Sequence, residues 1–529
     1  MNRPLGAQIS HMLKDRGVDV IFGIPGVHNQ EMYRGIEEAG ITHVLARHEQ
    51  GAGFMADGYA RASGKPGVAY VITGPGLCNI MTPMGQAYSD SVPMLVISSC
   101  LDETAAKRGQ LHQMKDQRGA AATVCDWSEE ARSAEAAYAL VDRALFEFDN
   151  RRARPKHLQV PIKLLEANAA EPPQQANLEL SAGILRDPLA VRRIADALKK
   201  AKRPVLVLGG GATVGASLYP KLAEAAGAAV FTSFAGRGIM PPEHPLCFGA
   251  SLARPESARV LNTADLVVVV GCQLAEVDLW REELGCEAAM IRVDIDPEVL
   301  ATHSRAQDRV VLGEAYETME AVLDALDDHT PAKGWDHHEI AQTCAKWRAE
   351  VDAERPGIVP VCDALRDAVP SDTMIYSDMT QLAYTAKEVW DMDRPGHWHH
   401  PTGFGTLGYA TPAAIGGAVA RDGKPTMAII GDYGFHYTMA ELGVAVELGL
   451  PIPIILWDNA KLGEIEDSMT RAQIAPNAVV ARNPDFCKLA EAFGAYAVAP
   501  KTLKDMQTAV RDAFNQDGPT LIYLTPDIV

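Results

Sequence analysis

The stretch around the Gly-Asp turn at Asp432 constrains the fold of this chain most strongly. An apolar segment, 427–430, runs into this turn, and apolar residues then recur at helical spacing. A second apolar segment, 452–456, follows and ends shortly before Asn459. The pattern predicts two parallel strands joined by a helix. Both polar turns then lie at the carboxyl ends of their strands, where open α/β sheets bind ligands.

The two turns carry side chains that suit a metal ion. Asp432 offers a carboxylate and Asn459, 27 residues later, offers a carboxamide. Both are hard oxygen donors of the kind that Mg2+ binds, and the amides at the start of the intervening helix would hold a phosphate group. The pair therefore indicates a divalent cation bound to a diphosphate. Because Gly-Asp turns are common and an Asn after a strand is often only a cap, the pattern needs support from elsewhere in the chain.

Composition narrows the class of protein. The chain has 529 residues, 47% of them hydrophobic, which is enough for several domains with large cores. Its net charge of −19 disfavours nucleic acid and anionic membranes as partners. We expect neither a signal peptide nor a membrane-spanning segment. The nine scattered cysteines form no Cys-x-x-Cys pair and are expected to be reduced thiols of a cytoplasmic protein.

A region near the N-terminus repeats the layout around Asp432. A predicted strand at 68–72 enters the turn at Gly74, and a helix then leads to Pro93 and another strand. Gly74 to Pro93 spans 19 residues, and Gly431 to Pro451 spans 20. Related α/β domains at the two ends of the chain are the simplest explanation.

We therefore expect an α/β protein with three doubly wound parallel-sheet domains, the first and third related by internal duplication. The predicted domains are 1–170, 185–335 and 350–529. The middle, Rossmann-like domain contains a glycine run at 209–211 that is similar to a dinucleotide-binding loop. The acid at the end of a later strand, Asp294, is too far downstream to be the usual ribose partner. We interpret the glycines as a tight structural turn.

Support for a cofactor site comes from Glu49. It lies in the segment 47–61, which reads RHEQGAGFMADGYAR and opens a helix rich in small residues. Together with the Gly-Asp turn and Asn459, this segment resembles the motifs of the thiamine diphosphate-dependent 2-oxo acid decarboxylase and acetohydroxyacid synthase family. Tyr433 and Asp458 depart from that family's Gly-Asp-Gly and Asn-Asn. Glu49 could otherwise be a surface acid at a helix N-terminus, but the second motif disfavours this interpretation.

The resemblance implies cofactors and an assembly. In this family the first domain binds the pyrimidine ring of thiamine diphosphate, the third binds its diphosphate with Mg2+, and sites form between subunits. At least a homodimer, and by extension a homotetramer, is therefore expected. FAD in the middle domain is compatible with the family but is not expected here.

The resemblance also implies residue roles. Glu49 would hydrogen-bond the pyrimidine nitrogen, and Leu407 would be the apolar wedge that bends the cofactor, unless it is an ordinary core leucine. The amides of Phe435 and His436 would contact the diphosphate. The implied cofactor contacts are Gly26, Glu49, Gln381, Gly405, Leu407, Gly431, Asp432, Tyr433, Gly434, Phe435 and Asn459. The implied metal ligands are Asp432, Asn459 and the carbonyl of Lys461.

Four residues bear on the rest of the reaction. His112 falls where decarboxylases of this family place a histidine and synthases place glutamine, and His28 follows the first strand; either could instead be a packed or surface residue. Glu464 and Glu466 lie nearly opposite each other on a predicted helix, so at most one would face the substrate. Their alternative role is to stabilise the helix N-terminus.

The expected reaction is the non-oxidative decarboxylation of a small 2-oxo acid to an aldehyde and carbon dioxide. The segments 24–28, 47–59, 84–88 and 111–112 are most like those of the decarboxylases of 5-guanidino-2-oxopentanoate in arginine catabolism. A carboxylate is the natural partner of such a guanidinium group. An acetolactate synthase-like carboligase acting on pyruvate is the first alternative, and a non-catalytic cofactor-binding homologue is the second.

Overall fold

The computed structural model describes residues 2–174, 187–302 and 304–529. Residue 185, the predicted start of the middle domain, lies outside them. The chain divides into two compact units. The first comprises Met1–Asn177, Asp367–Ala383 and His399–Val529, and the second comprises Leu178–Arg366 and Tyr384–Trp398. No helix in the described ranges combines the length and apolar character needed to cross a membrane.

The strands, in chain order, are β1 Arg3–Pro4, β2 Val20–Gly23, β3 Thr42–Leu45, β4 Gly67–Val71, β5 Met94–Cys100, β6 Trp127–Glu130, β7 Lys156–Pro161, β8 Asn168–Ala169, β9 Pro204–Leu208, β10 Ala229–Thr232, β11 Cys247–Gly249, β12 Leu266–Val270, β13 Ala289–Asp294, β14 Arg309–Leu312, β15 Met374–Ser377, β16 Trp398–His399, β17 Thr426–Gly431, β18 Pro453–Trp457, β19 Tyr496–Val498 and β20 Thr520–Leu524.

The helices, in chain order, are α1 Leu5–Asp15, α2 Gln30–Ala39, α3 Glu49–Ser63, α4 Pro75–Asp90, α5 Gln117–Ala121, α6 Ala134–Asn150, α7 Ile162–Glu166, α8 Pro188–Lys200, α9 Leu218–Ala226, α10 Ser257–Leu261, α11 Glu276–Leu279, α12 Pro297–Ala301, α13 Ala315–Asp324, α14 His337–Glu354, α15 Ile358–Ala368, α16 Gln381–Val389, α17 Ala410–Arg421, α18 Asp432–Thr438, α19 Leu442–Glu447, α20 Gly463–Arg471, α21 Phe486–Phe493 and α22 Leu503–Ala513.

Two six-stranded sheets of the first unit have the same topology. One has the strand order β3-β2-β4-β5-β7-β6, and the other has the order β16-β15-β17-β18-β20-β19. Counted within its own domain, each order is 2-1-3-4-6-5. The central strands of both run parallel, and their apolar residues are buried because helices cover both faces of such sheets. The predicted parallel-sheet domains and the internal duplication are confirmed.

The sheet of the second unit has a different order. Its strands run β11-β10-β9-β12-β13-β14, or 3-2-1-4-5-6 within the domain, which is the order of dinucleotide-binding folds. The glycine run follows β9, and the N–H of Gly211 donates to the carbonyl of Gly271 at 3.0 Å. A Cβ on Gly209 would lie 2.1 Å from that same oxygen. Close packing of two loops therefore explains these glycines without a nucleotide.

Within the first unit, α3 packs directly on α17. Gly58 on α3 faces Ala413, and a Cβ at Gly58 would lie 2.0 Å from the Ala413 carbonyl oxygen. Gly416 makes the equivalent approach to Met55, at 1.9 Å. The small residues of the 47–61 segment are therefore needed because they let two helix backbones touch. This contact anchors the helix that begins at Glu49.

Candidate active site

Glu49 is the first residue of α3 and follows strand β3. Its side chain is only 8% exposed. One carboxylate oxygen, Oε2, accepts a hydrogen bond of 2.8 Å from Nδ2 of Asn79 on α4. A Cβ at Gly76 would lie 3.4 Å from the other oxygen. Glu49 is thus a buried carboxylate held at the start of α4, and not an exposed capping acid.

A second buried acid, Glu441, holds the segment that precedes Glu49. Its carboxylate accepts the backbone N–H groups of Arg47, at 3.1 and 3.2 Å, and of His48, at 2.9 Å. Glu441 is fully buried, and this burial raises its pKa to about 7. The sequence analysis missed this residue because a single Glu in a helical run carries no signal of its partner 394 residues away.

His28 and His112 meet at the carboxyl edge of the first sheet. They lie in the loops after β2 and β5, with their Nδ1 atoms 3.4 Å apart and their rings edge to face. Burial and the neighbouring His112 lower the pKa of His28. His112 has a left-handed backbone, with φ of +63°, and its carbonyl oxygen leaves no room for a side chain at Gly74. The loop is therefore held in one conformation at this histidine.

Gly26 lies in the same loop as His28. Its N–H donates to Oδ1 of Asn29 at 2.8 Å, and a Cβ at Gly26 would lie 2.2 Å from Cδ1 of Ile72. The loop after β2 therefore passes close to the residue that follows β4. A side chain at Gly26 would push the two loops apart.

Asp432 and Asp458 lie side by side because they follow paired strands, with Gly431 of β17 opposite Trp457 of β18. Nδ2 of Asn483 donates to both carboxylates, at 2.7 and 2.8 Å. Burial and the neighbouring Asp458 raise the pKa of Asp432. Asn483 was not predicted, since nothing in its loop marks it as a partner of either acid.

Asn459 contributes an amide oxygen to this part of the site. Its Nδ2 donates to Oε1 of Gln381 at 2.9 Å, and its Oδ1 accepts the N–H of Lys461 at 3.2 Å. The structure thus joins Gln381 to Asn459, and the expected contact of Gln381 with the cofactor stays a prediction. No group of three His, Cys, Asp or Glu side chains forms a metal cluster in the described ranges. A magnesium site fits here only if amide and carbonyl oxygens complete the Asp432 carboxylate, and Asn459 and Lys461 can supply them.

The expected diphosphate contacts lie at the start of helix α18. Helix α18 begins at Asp432, so the N–H groups without an intrahelical acceptor belong to Asp432, Tyr433 and Gly434. The N–H groups of Phe435 and His436 follow in the same first turns of the helix, and their contact with the diphosphate stays a prediction. The Phe435 ring is fully buried against Phe486. Phe435 is therefore a core residue.

The loop that carries Leu407 is fixed by a buried acid. Asp378 accepts the N–H of Gly408 at 2.8 Å, and burial raises the pKa of Asp378 to about 7. Gly405 adopts a left-handed conformation with φ of +68°. Leu407 is half-buried, while Tyr409 just beyond it is fully buried. The exposure of Leu407 argues against an ordinary core leucine.

Glu464 and Glu466 both lie in the first turn of α20 and are both half-buried. Glu466 forms an ion pair with Lys461.

Among the described residues, no hydrogen bond or ion pair joins Glu49 to Asp432 within the chain; each has its own partners. Each of the two acids is thus held by its own side-chain partner, Asn79 for Glu49 and Asn483 for Asp432.

Comparison with known proteins assigns Glu49 and Asp432 to two different domains. Residues 3–120 match the model of the thiamine pyrophosphate enzyme N-terminal TPP binding domain. Residues 191–322 match the central domain of the same enzymes, and residues 378–524 match their C-terminal TPP binding domain. The chain belongs to the thiamine pyrophosphate enzyme family. Glu49 lies within the first match, and Asp432 and Asn459 lie within the last.

Curated relatives of this family member span its whole length. A protein named probable 2-ketoarginine decarboxylase, from Pseudomonas aeruginosa, is 42% identical over 98% of this chain and 93% of its own length. The acetolactate synthase isozyme 1 large subunit of Escherichia coli is 28% identical over 98% of this chain and 93% of its own. The acetolactate synthase catalytic subunit of Saccharomyces cerevisiae is 27% identical over 99% of this chain and 80% of its own.

Proposed function

We propose that this thiamine pyrophosphate enzyme is a Mg2+-dependent lyase that decarboxylates a 2-oxo acid to an aldehyde and carbon dioxide. We further propose 5-guanidino-2-oxopentanoate as its substrate. The observation that carries the proposal is the 42% identity, over nearly the whole of both chains, to a protein named for the decarboxylation of 2-ketoarginine. The acetolactate synthases, at 28% identity or less, are more distant.

Bound thiamine diphosphate supplies the carbon nucleophile and the electron sink that allow a 2-oxo acid to lose carbon dioxide. Glu49, already buried and held by Asn79, would hydrogen-bond the pyrimidine nitrogen. Asp432, Asn459 and the carbonyl of Lys461 would hold Mg2+ against the diphosphate. A divalent cation there would neutralise the buried acids Asp432 and Asp458, whose proximity now disfavours the charged form of Asp432.

The backbone N–H groups of Tyr433, Gly434, Phe435 and His436, at the start of α18, would contact the diphosphate. Leu407, half-buried in its loop, would pack between the two rings of the cofactor. Because the family to which this chain belongs forms its sites between subunits, we propose that Glu49 of one subunit completes the site of another. A homodimer is then the smallest active form.

The histidine pair favours decarboxylation over carboligation. Aldehyde release requires a positioned acid that protonates the product carbon. The Nδ1 atoms of His28 and His112 lie 3.4 Å apart, so the two rings can hold one proton between them, and this pair would be the positioned donor. In a carboligase the carbanion instead bonds to a second carbonyl carbon, and the proton goes to the oxygen of that carbonyl.

The acids of α20 are the proposed guanidinium partners. A carboxylate binds a guanidinium through two parallel hydrogen bonds. Glu466 is paired with Lys461, so its use would require that ion pair to open, and Glu464 lies in the same first turn of the helix. The two acids are therefore to be tested separately.

The test is release of carbon dioxide from a panel of 2-oxo acids, with thiamine diphosphate and Mg2+ added and products identified by mass. We expect the highest kcat/KM on 5-guanidino-2-oxopentanoate, with 4-guanidinobutanal as the product. Acetolactate from pyruvate would instead establish the carboligase alternative. Absence of turnover on every acid, with cofactor bound, would establish a non-catalytic homologue.

A further inference from the structure

A cavity in the second unit plays no part in the function proposed above. It has a volume of about 260 Å3 and lies between the loop after β10, strand β11, helix α14 and the last turn of α16. Every residue that lines it belongs to the second unit. Its charged lining residues are Arg237, Arg254, Arg348, Lys387, Glu388 and Asp391. The size is near the lower end of small-molecule sites.

Two of the four cations are neutralised by the protein itself. Arg254 donates hydrogen bonds to three carboxylates, two on α14 and one on α16. Arg348 donates to both carboxylate oxygens of Asp363, at 2.6 and 2.7 Å. These contacts are structural, since Arg254 is held by three acids and Arg348 by one, which leaves neither arginine without a carboxylate.

The other two cations are buried without a carboxylate partner. Lys387 is 8% exposed, and its Nζ lies over the rings of Phe234 and Tyr384, 4.3 and 5.5 Å from their centres. Arg237 is 7% exposed and donates through Nη1 to the carbonyls of Ala386 and Lys387. In the described part of the chain neither forms an ion pair, Nζ of Lys387 makes no hydrogen bond, and Nε and Nη2 of Arg237 have no acceptor.

The surroundings compensate this charge only in part. Glu388 and Asp278 attract Lys387, and Asp391 attracts Arg237, but each acts through space at more than ion-pair distance. Aromatic faces and the C-terminus of α16 both attract cations. Neither offers the ammonium of Lys387 the lone pairs that its three donors require. Burial lowers the pKa of Lys387 to about 8, with the nearby charge of Arg237 contributing, and burial lowers that of Arg237 to about 9. Both groups therefore remain charged at neutral pH while lining a cavity.

We propose that Lys387 and Arg237 bind a small oxyanion in this cavity, the phosphate or carboxylate group of a metabolite. An anion would match both charges and accept the unused hydrogen bonds of Lys387. Trp347, Trp390 and Phe248 also line the cavity and provide apolar surface for the rest of such a ligand. The volume suits a small metabolite and not a dinucleotide.

The test uses the full-length protein with excess thiamine diphosphate and Mg2+, so that the diphosphate site is filled. Sodium phosphate and sodium acetate are titrated by calorimetry, and sodium chloride at equal ionic strength serves as the reference. We expect saturable binding of one anion per chain. Lys387→Met should weaken it at least about tenfold, because the main charged donor is lost. Lys200→Met, which removes an exposed lysine at the end of α8, should not change it.

Lys387→Arg provides a second test, because it keeps the charge and should keep anion binding. In chloride alone, Lys387→Met should be at least as stable to heating as the wild-type protein, since it removes an unpaired buried charge. Binding of phosphate alone would indicate a phosphorylated ligand, and binding of acetate alone or of both anions would indicate a carboxylate or oxyanions in general; each supports the proposal. Equal binding by the wild-type protein and Lys387→Met, or no saturable binding up to about 10 mM, would overturn it.

Discussion

Replacing Glu441 by alanine is expected to loosen the segment that carries Glu49. Glu441 is fully buried, and its Oε1 alone accepts the N–H groups of both Arg47 and His48, at 3.2 and 2.9 Å. The alanine variant leaves both amides without this acceptor. Glu441→Gln keeps an oxygen at the Oε1 position, so it should hold the segment and keep Glu49 in place.

The size of the effect follows from burial. A buried N–H without an acceptor costs about 1–3 kcal/mol, so two cost about 2–6 kcal/mol in unfolding free energy. Burial also raises the pKa of Glu441 from its usual 4.5 to about 7. The protonated Glu441 carboxyl therefore stabilises the folded protein. This stabilisation is fully present below the pKa of Glu441 in the unfolded chain, and it is lost as the pH rises through the higher pKa of Glu441 in the folded protein. The difference in unfolding free energy between the wild-type protein and Glu441→Ala should therefore shrink by about 3 kcal/mol between about pH 4.5 and pH 8.

Urea unfolding at pH 5 and pH 8, at one protein concentration, measures this difference, and hydrogen exchange of the peptide that contains residues 47–49 locates it. In Glu441→Ala, enzyme activity should decrease together with the protection of that peptide against hydrogen exchange. Glu447→Ala is the matched control: Glu447 pairs with the side chain of Arg47 but is exposed, so its removal should change little. Equal destabilisation by the alanine and glutamine variants, or a difference that does not narrow with pH, would refute the reasoning.

Four further outcomes are expected. Glu49→Gln and Asp432→Ala, each inactive alone, should regain part of the activity when mixed and reassembled; inactive verified heterodimers would exclude shared sites. His112→Asn tolerates the left-handed backbone and should lower the rate of aldehyde formation about 100-fold or more; an unchanged rate would remove the proton-donor role. Either Glu464→Gln or Glu466→Gln should raise KM for the guanidino acid at least about tenfold but not for pyruvate, and equal effects on both substrates would mean a structural role. EDTA should release thiamine diphosphate, and Mg2+ but not Na+ should restore its binding, as measured by cofactor fluorescence.

The central strands of the sheets were predictable because they are uniform apolar runs. In β12, for example, all five residues, Leu266–Val270, are buried. Edge strands were harder to detect. β14, Arg309–Leu312, is largely exposed and β6, Trp127–Glu130, ends in two acids, so neither has the apolar pattern of a buried strand. Each is a strand because a neighbour pairs with its backbone.

The residues of the candidate site were also only partly predictable from the sequence. Glu49, Asp432 and Asn459 were recognisable because each lies in a polar turn directly after an apolar strand, and parallel strands place such turns at one edge of the sheet. The roles of the Phe435 and His436 amides stay a prediction, because a turn motif does not reveal at which residue the helix begins. Only the structure shows that α18 begins at Asp432.

By itself, the sequence determined the three-domain α/β architecture and its duplication, because apolar periodicity and turn residues act over short distances along the chain. The cofactor class came from the resemblance of its motifs to those of a known family. The tertiary structure alone decided which side chains hold those residues in place. Glu441 reaches Arg47 across 394 residues, and Asn483 bridges two acids. It also decided that Lys387 and Arg237 line one cavity. These relations depend on how elements that are distant in sequence pack together. Which groups surround a buried charge is therefore known only from the folded structure.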